Sequence, residues 1–203
     1  MLLNFQNLSS NQVYHTLIQT IVPRPVAWVL SQNENGSHNL APFSFFNGVC
    51  GSPPLISIAA GRKDDGTQKD TWKNIEERSE FVIHIAHREM AEAVTASAAS
   101  LEEGESEIDF LQLATESVEG WPLPKLKDSR VALRCERFAI HEVGEGPRGL
   151  ILGKVLAAFI NDRIATTEGN RLKIDAKALD PIARLGGNDY ATLSDLITVV
   201  RPD

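Results

Sequence analysis

Along residues 25–32, Val26, Trp28 and Leu30 alternate with Ala27, Val29 and Ser31, and the run stops at Asn33-Glu34-Asn35-Gly36. A period of two is the pattern of a strand, and Asn-Gly is a strong hairpin turn because both residues tolerate positive φ. The pattern predicts a hairpin whose second strand covers residues 37–42. Upstream, Val13, Leu17, Ile18 and Ile21 recur at helical spacing behind Ser9 and Ser10, either of which can cap, so a packing helix is expected over about 9–22, before Pro23. After Pro53-Pro54, residues 55–60 read as a buried strand closed by Gly61. A helix opening at Asp70 or Thr71 is expected to run through Glu77, followed by a strand over 81–86 and an Ala-rich helix over 88–99. Residues 130–141 and 150–160 are long β-patterned runs joined by Gly144-Glu145-Gly146-Pro147, a hairpin with a wide loop.

Strand-rich segments with few helices and no regular βαβ alternation favour a mainly β protein, a closed antiparallel barrel, over a doubly wound sheet. A chain of 203 residues is long enough for a full core, and one domain spanning 1–203 is expected. Hydrophobic residues make up 42% and charged residues 23%, which sets aside disordered, coiled-coil and collagen-like classes. No window approaches a membrane span, and the start Met1-Leu2-Leu3-Asn4-Phe5-Gln6 lacks the basic and apolar regions of a secretory signal, so a cytoplasmic protein without a membrane partner is expected. Cys50 and Cys135 could pair in an oxidising compartment; without a signal both read as buried thiols.

A formal net charge of −7 argues against nucleic acid as a partner, because backbone phosphates require a basic face. Part of that acidity lies in Glu102, Glu103, Glu105, Glu107 and Asp109, which read as a solvated loop leading into a short helix. Arg62, Lys63, Lys69 and Lys73 form the local basic cluster that an anionic ligand would need.

The run Asn39-Leu40-Ala41-Pro42-Phe43-Ser44-Phe45-Phe46-Asn47 places three Phe among amides and a hydroxyl. The aromatics suit a core, whereas buried amides and hydroxyls need partners, and a planar ligand with polar edges would serve both. Gly144, Gly146 and Gly149 lead into a strand, so neither a Rossmann nor a P-loop fingerprint is present. His84 and His87 would face opposite sides of a strand, so no metal site is expected, and there is no G-x-S-x-G elbow of a serine hydrolase. Chemistry carried by a bound cofactor, with no catalytic side chain of the protein's own, is left. Lys69-Asp70-Thr71 at a helix start can hold a phosphate through free N–H groups, a cation and a hydroxyl. On the residues alone, an Asp70 cap beside a solvated Lys69, with the phenylalanines in the core, accounts for the same features.

Pro23-Arg24-Pro25-Val26-Ala27-Trp28-Val29, the Asn39 to Asn47 run, Ser52-Pro53-Pro54 and Lys69-Asp70-Thr71-Trp72-Lys73-Asn74-Ile75-Glu76, in this order and spacing, resemble the flavin reductase-like, FMN-binding split-barrel family, which includes flavoredoxin and nitrilotriacetate monooxygenase component B-like proteins. Leu133-Arg134-Cys135, residues 150–155 and residues 181–190 resemble later landmarks of the same family, so the likeness runs from about Ile21 to Tyr190.

The resemblance implies a six-stranded antiparallel split barrel over about 24–190, usually a homodimer with FMN near the subunit interface. Asn39, Leu40, Ala41 and Ser44 would approach the flavin, while Lys69 and Thr71 would hold its phosphate. Arg24 and Arg62 would serve the phosphate or the dimer contact, and Arg184 and Tyr190 would close the site from the partner chain. The implied activity is hydride transfer from NADH or NADPH to FMN, with electrons passed to free flavin, an oxygenase partner or another acceptor. An FMN-binding electron carrier and a non-catalytic flavin-binding barrel are the alternatives. His84 stands where many relatives carry Asn, and Lys154 where Glu is frequent; each leaves binding intact and could alter the charge of the pocket.

Overall fold

The computed structural model describes residues 1–200 and Pro202. The chain forms α1 (Ser10–Thr20), β1 (Arg24–Pro25), β2 (Ala27–Gln32), β3 (His38–Phe43), β4 (Phe46–Gly51), β5 (Pro54–Ala60), α2 (Asp70–Arg78), β6 (Glu80–Ile85) and α3 (Ala91–Ala96). It continues with α4 (Glu107–Phe110), β7 (Thr115–Glu116), β8 (Lys125–Leu126), β9 (Val131–Val143), β10 (Arg148–Ile160), β11 (Ala165–Glu168), β12 (Arg171–Ile174), α5 (Ala176–Leu179), β13 (Ala183–Arg184) and β14 (Tyr190–Ala191).

The main sheet is antiparallel, in the order β3-β2-β6-β9-β10-β5-β4. Its outermost strands, β3 and β4, are consecutive in the chain, separated by Ser44 and Phe45, and the Ala59 N–H donates to the Phe45 carbonyl at 2.9 Å. The sheet therefore curls until its ends meet at a covalent corner. It has seven strands among the described residues and is not hydrogen-bonded shut, which corrects the expected closed six-stranded barrel. The physical reason lies on β3. Its outer edge is occupied by α4: Glu107 Oε2 accepts from the Leu40 N–H at 2.8 Å, and Ser106 Oγ donates to the His38 carbonyl at 2.7 Å. An edge capped by side chains cannot recruit another strand.

Both faces of the curled sheet are covered, so β2 is buried along nearly its whole length instead of on one side. One face carries Ala27, Val29, Ile58, Phe81, Ile83 and Ile151, packed against Trp72 and Ile75 of α2. Trp28, Leu30, Leu40 and Val82 point the other way, against Met90, Val94, Ile108 and Leu126. The Asn-Gly hairpin forms as expected, with Trp28 opposite Pro42 and Ser31 opposite Asn39. Helix α1 forms behind a capping box of Ser9 and Gln12, yet none of its residues is buried. It lies on the molecule without being a core helix. The expected helix over 88–99 is a single 3-10 turn at Arg88–Met90 and then only Ala91–Ala96. Ser97 ends it: its hydroxyl turns back to the Val94 carbonyl, and Ala98 and Ala99 make only short-range bonds to Thr95 and Ala96. Cys135 is buried, and its thiol is pushed up to about 12 by desolvation. Cys50 is exposed on the outer strand β4, contrary to the expectation of two buried thiols.

Gly149 is where β10 passes under α2. A Cβ there would come within 2.7 Å of the Trp72 indole, which is fully buried and cannot yield. Gly149→Ala is expected to destabilise the fold by about 1–3 kcal/mol, as overpacked core positions do. Urea unfolding followed by tryptophan fluorescence measures this, and an unchanged midpoint would show that the indole has room to move.

Candidate functional site

The site is built where the N-terminus of α2 meets β3. Helix α2 starts at Asp70 with Lys69 as its N-cap, and the Lys69 side chain makes no capping hydrogen bond. The first N–H groups of a helix have no partner within it, so this end is left able to receive an acceptor from outside. Thr71, in the first turn, is fully buried, and its hydroxyl accepts from Asn39 Nδ2 at 2.8 Å. Because that hydroxyl is already an acceptor toward Asn39, its own proton remains available. Asn39 Nδ2 also reaches Ser31 Oγ at 3.3 Å, and Asn74 Nδ2 donates to Ser31 Oγ at 3.2 Å and Asn33 Oδ1 at 2.8 Å. These buried polar groups tie α2 to both strands of the hairpin.

In front of them lies a cleft of about 470 Å³ lined by Asn39, Ala41, Arg62, Lys69, Thr71 and the stretch Ser97 to Leu101. It meets a narrower groove of about 200 Å³ through the shared residues Pro42, Phe43 and Lys69. Arg24, Lys69, Arg148 and Arg184 line the groove, and no carboxylate does. On a protein of net charge −7 this is a concentrated positive site.

Eight of the ten residues singled out in the sequence meet along this surface: Asn39, Ala41, Arg62, Lys69 and Thr71 in the cleft, and Arg24, Ser44, Lys69 and Arg184 in the groove. Their roles differ. Arg24 is buried and fully engaged, donating to the Ile18 and Ile21 carbonyls at the end of α1, to the Leu185 carbonyl at 3.0 Å and to Ser44 Oγ at 3.3 Å. It is a clamp that fixes Ser44. Arg62 likewise binds the Pro147 and Gly66 carbonyls and Glu142, and lies 4.9 Å above the Trp72 ring. Arg184 keeps a donor in reserve: Nη2 bonds the Gly187 carbonyl, but the buried Nη1 has no partner. Lys69 makes no ion pair with a described residue and is exposed at the junction of cleft and groove.

The other two lie apart from the lining. The Leu40 side chain is in the core, and its N–H is spent on Glu107. Tyr190 stacks under Arg184 at 4.6 Å and accepts from Thr95 at 3.1 Å, so it supports the Arg184 guanidinium from behind. Within the aromatic run, Phe43 is core, and Phe45 packs edge-on against Tyr14 with Arg24 over its ring.

Two lining residues escape a reading of the sequence. Glu107 was expected on a solvated acidic loop, but it is buried in the cleft wall, and desolvation raises its pKa against the opposing hydrogen bond from Leu40. Arg148 approaches from the start of β10 and lies over the Tyr14 ring at 5.6 Å. Neither belongs to a local motif, and only the antiparallel pairing of β5 and β10 brings Arg148 near the corner.

A family model described as flavin reductase like domain matches residues 19–171. The chain belongs to this family. An uncharacterized protein of Halalkalibacterium halodurans is 36% identical over 100% of this chain and 97% of its own length. The crystal structure of nitrilotriacetate monooxygenase component B from Bacillus cereus is 33% identical and superposes with a TM-score of 0.90 over 98% of both chains. Pseudomonas fluorescens 2-nitrobenzoate 2-nitroreductase is 27% identical, with a TM-score of 0.87 over 100% of this chain and 96% of the other. A split-barrel protein from Shewanella frigidimarina, 20% identical with a TM-score of 0.83 over 98% of this chain and 96% of the other, shows the shared fold.

The two departures expected to change the pocket of this flavin reductase-like chain lie elsewhere. Lys154 pairs with Glu136 at 3.1 Å on the sheet surface. His84 is fully buried between β2 and β8: Nδ1 lies 3.1 Å from the Trp28 carbonyl, and Nε2 accepts from the Leu126 N–H at 3.0 Å. That pattern requires the neutral ring, and burial pulls its pKa down to about 4.

The unfolded chain binds a proton at His84 near pH 6.5 while the folded chain refuses it until about pH 4. A depressed pKa gives stability that is complete above 6.5 and is lost as pH falls toward 4, about 3 kcal/mol in all. Denaturant unfolding of wild type and His84→Asn at pH 7 and pH 4.5 is expected to show a steeper acid loss in the wild type. Parallel losses would remove His84 as the cause.

Proposed function

We propose that the protein binds FMN non-covalently in the cleft and groove and acts as an NAD(P)H-dependent flavin reductase, as a homodimer. What carries the reading is the carboxylate-free groove of Arg24, Lys69, Arg148 and Arg184 joined through Lys69 to a cleft of about 470 Å³. The donor set fits a phosphate monoester: a free ammonium at Lys69, the spare proton of Thr71, the N-terminal N–H groups of α2 and the unsatisfied Nη1 of Arg184. Ala41 supplies a small surface and Asn39 a fixed amide for the ring system. Arg24 holds Ser44 toward the groove.

When bound, FMN supplies the redox chemistry, accepting hydride from NADH or NADPH and passing electrons to free flavin, an oxygenase partner or another acceptor. The chain's part is to bind, orient and shield, so no acid or base of its own is assigned. A homodimer is in keeping with the exposed apolar side chains Val49, Phe138 and Leu156 on β4, β9 and β10. The similarity to nitrilotriacetate monooxygenase component B supports an oxygenase partner.

Lys69→Ala is expected to weaken FMN by about 1–3 kcal/mol, the value of a charge-assisted hydrogen bond, in a fluorescence titration. Wild-type affinity in that variant would return Lys69 to the solvated surface. Rapid bleaching of the FMN-loaded protein by NADH or NADPH in stopped flow is the expected sign of a reductase; no bleaching by either would leave an electron carrier.

A further inference from the structure

A second, open cavity among the described residues lies on the sheet face opposite α2, away from the cleft. It measures about 530 Å³ between the Arg88–Met90 turn, β8 and the residues just before β9 and just after β10. Trp28 marks the division between the two spaces: the indole lines this cavity, while its Nε1–H donates at 2.8 Å to Ser97 Oγ, which lines the cleft. We propose that this cavity is a second ligand site, for a small aromatic acid that carries a hydroxyl group.

Its floor is apolar, formed by Trp28, Met90, Leu126 and Ile164, all nearly buried. A flat apolar ligand gains mainly by removing its own surface from water against that floor, and the volume falls in the range of small-molecule sites. Charge at the rim selects the sign of the ligand. Lys127 and Arg163 are exposed there, and neither forms an ion pair with a described residue; Asp128, exposed on the same rim, is unpaired as well, so free cations exceed free carboxylates by one. Arg130 is already engaged with Glu89 at 2.7 Å and with the Ala178 and Leu179 carbonyls at the end of α5. Two uncommitted cations beside an apolar floor suit a carboxylate on an aromatic ring.

His87 specifies the hydroxyl. The residue is 2% exposed and lines the cavity. Its Nε2 lies 3.1 Å from the Asp128 carbonyl and so carries the ring proton, which leaves Nδ1 as a buried acceptor without a hydrogen-bond partner. Glu89 Oε2 stands 3.3 Å from Nδ1, but it is out of hydrogen-bond geometry and already accepts from Arg130. Burial holds the ring below its ordinary pKa, so Nδ1 stays unprotonated near neutrality. A buried acceptor without a donor is costly; Nδ1 has almost no exposed surface and lies beside the exposed Glu89 side chain, so a ligand hydroxyl removes that cost by displacing Glu89.

The site is independent of the flavin reading, and the test separates the two. Calorimetric titration of 4-hydroxybenzoate into the full chain is run with and without saturating FMN, beside benzoate and p-cresol. The expected result is one site per chain that FMN does not displace, with 4-hydroxybenzoate at least about tenfold tighter than either half-ligand. Arg163→Glu, a change at an exposed rim position, is expected to weaken it by about tenfold or more while FMN affinity stays unchanged. His87→Phe is expected to erase the preference over benzoate. Absence of binding up to about 10 mM, displacement by FMN, or an affinity indifferent to Arg163→Glu each overturns the proposal. If the chain takes up no FMN at all, the flavin reading fails while the titration without FMN still decides this site.

Discussion

The amide of Asn39 is the contact on which the rest of the molecule's useful surface depends. It is buried on β3, reaches Thr71 at 2.8 Å and Ser31 at 3.3 Å, and so fixes the first turn of α2 against the hairpin. The helix has a second anchor, Trp72 and Ile75 in the core beneath it, to which the buried amide adds a directional bond. Each hydrogen bond is worth only about 1 kcal/mol net, yet an orphaned amide or hydroxyl in the same place would cost about 1–3 kcal/mol. That asymmetry makes one register of helix on hairpin far better than its neighbours. The helix N-terminus, the Thr71 hydroxyl and Lys69 are consequently delivered together to one end of the cleft.

Charge is placed with the same division of labour. The arginines most deeply tied into the fold, Arg24 and Arg62, spend their donors on backbone carbonyls and a neighbouring carboxylate: Arg24 braces the corner at Ser44, and Arg62 ties the end of β5 to the loop before β10. Lys69 and Arg184 retain donating capacity. The groove can thus be positive without being floppy, because the fixed cations shape it and the uncommitted ones face the space. Surface charge is screened over about 8 Å at physiological ionic strength; the groove carries no carboxylate of its own, whereas Asp64, Asp65, Asp70 and Glu107 line the adjoining cleft beside Arg62 and Lys63.

The sequence disclosed what is local. The Asn-Gly hairpin, the start of α2 at Asp70 and the long pair of strands after residue 130 follow from turn chemistry and alternation, which act within a few residues. The candidate lining was singled out through the family resemblance of two short motifs, since on the residues alone a core aromatic run and an Asp70 cap accounted for them: Asn39, Ala41 and Ser44 share one strand and its corner, and Lys69 and Thr71 share one helix start. What local pattern could not supply was decided by long-range packing. Nothing near Arg148 says that β10 will lie beside β5, and nothing in an acidic run distinguishes Glu107, turned inward, from Glu103, which pairs with Lys73 outside. Cys50 was misjudged because an outer strand in this curled sheet is exposed despite its β-rich composition. His84 was misread in the opposite sense: a histidine aligned with an amide position became a neutral linker between two backbone groups.

The strand count and the cleft prove to be one question. β3 carries Asn39 and Ala41 along the very edge that a closed barrel would have to pair with another strand. Had β4 or any other strand docked there, its backbone would have filled the space that these residues line. Instead α4 satisfies the edge with two side-chain bonds, from Ser106 to His38 and from the Leu40 N–H to Glu107, and Glu107 itself becomes part of the wall. Burying that carboxylate is unfavourable, as its raised pKa records, and the backbone bond offsets only part of the penalty. A fully paired edge would be the more stable solution for the sheet alone. The open seam therefore reads as the structural cost of keeping an open cleft along β3, held by a carboxylate that no rule of strand pairing would have placed there.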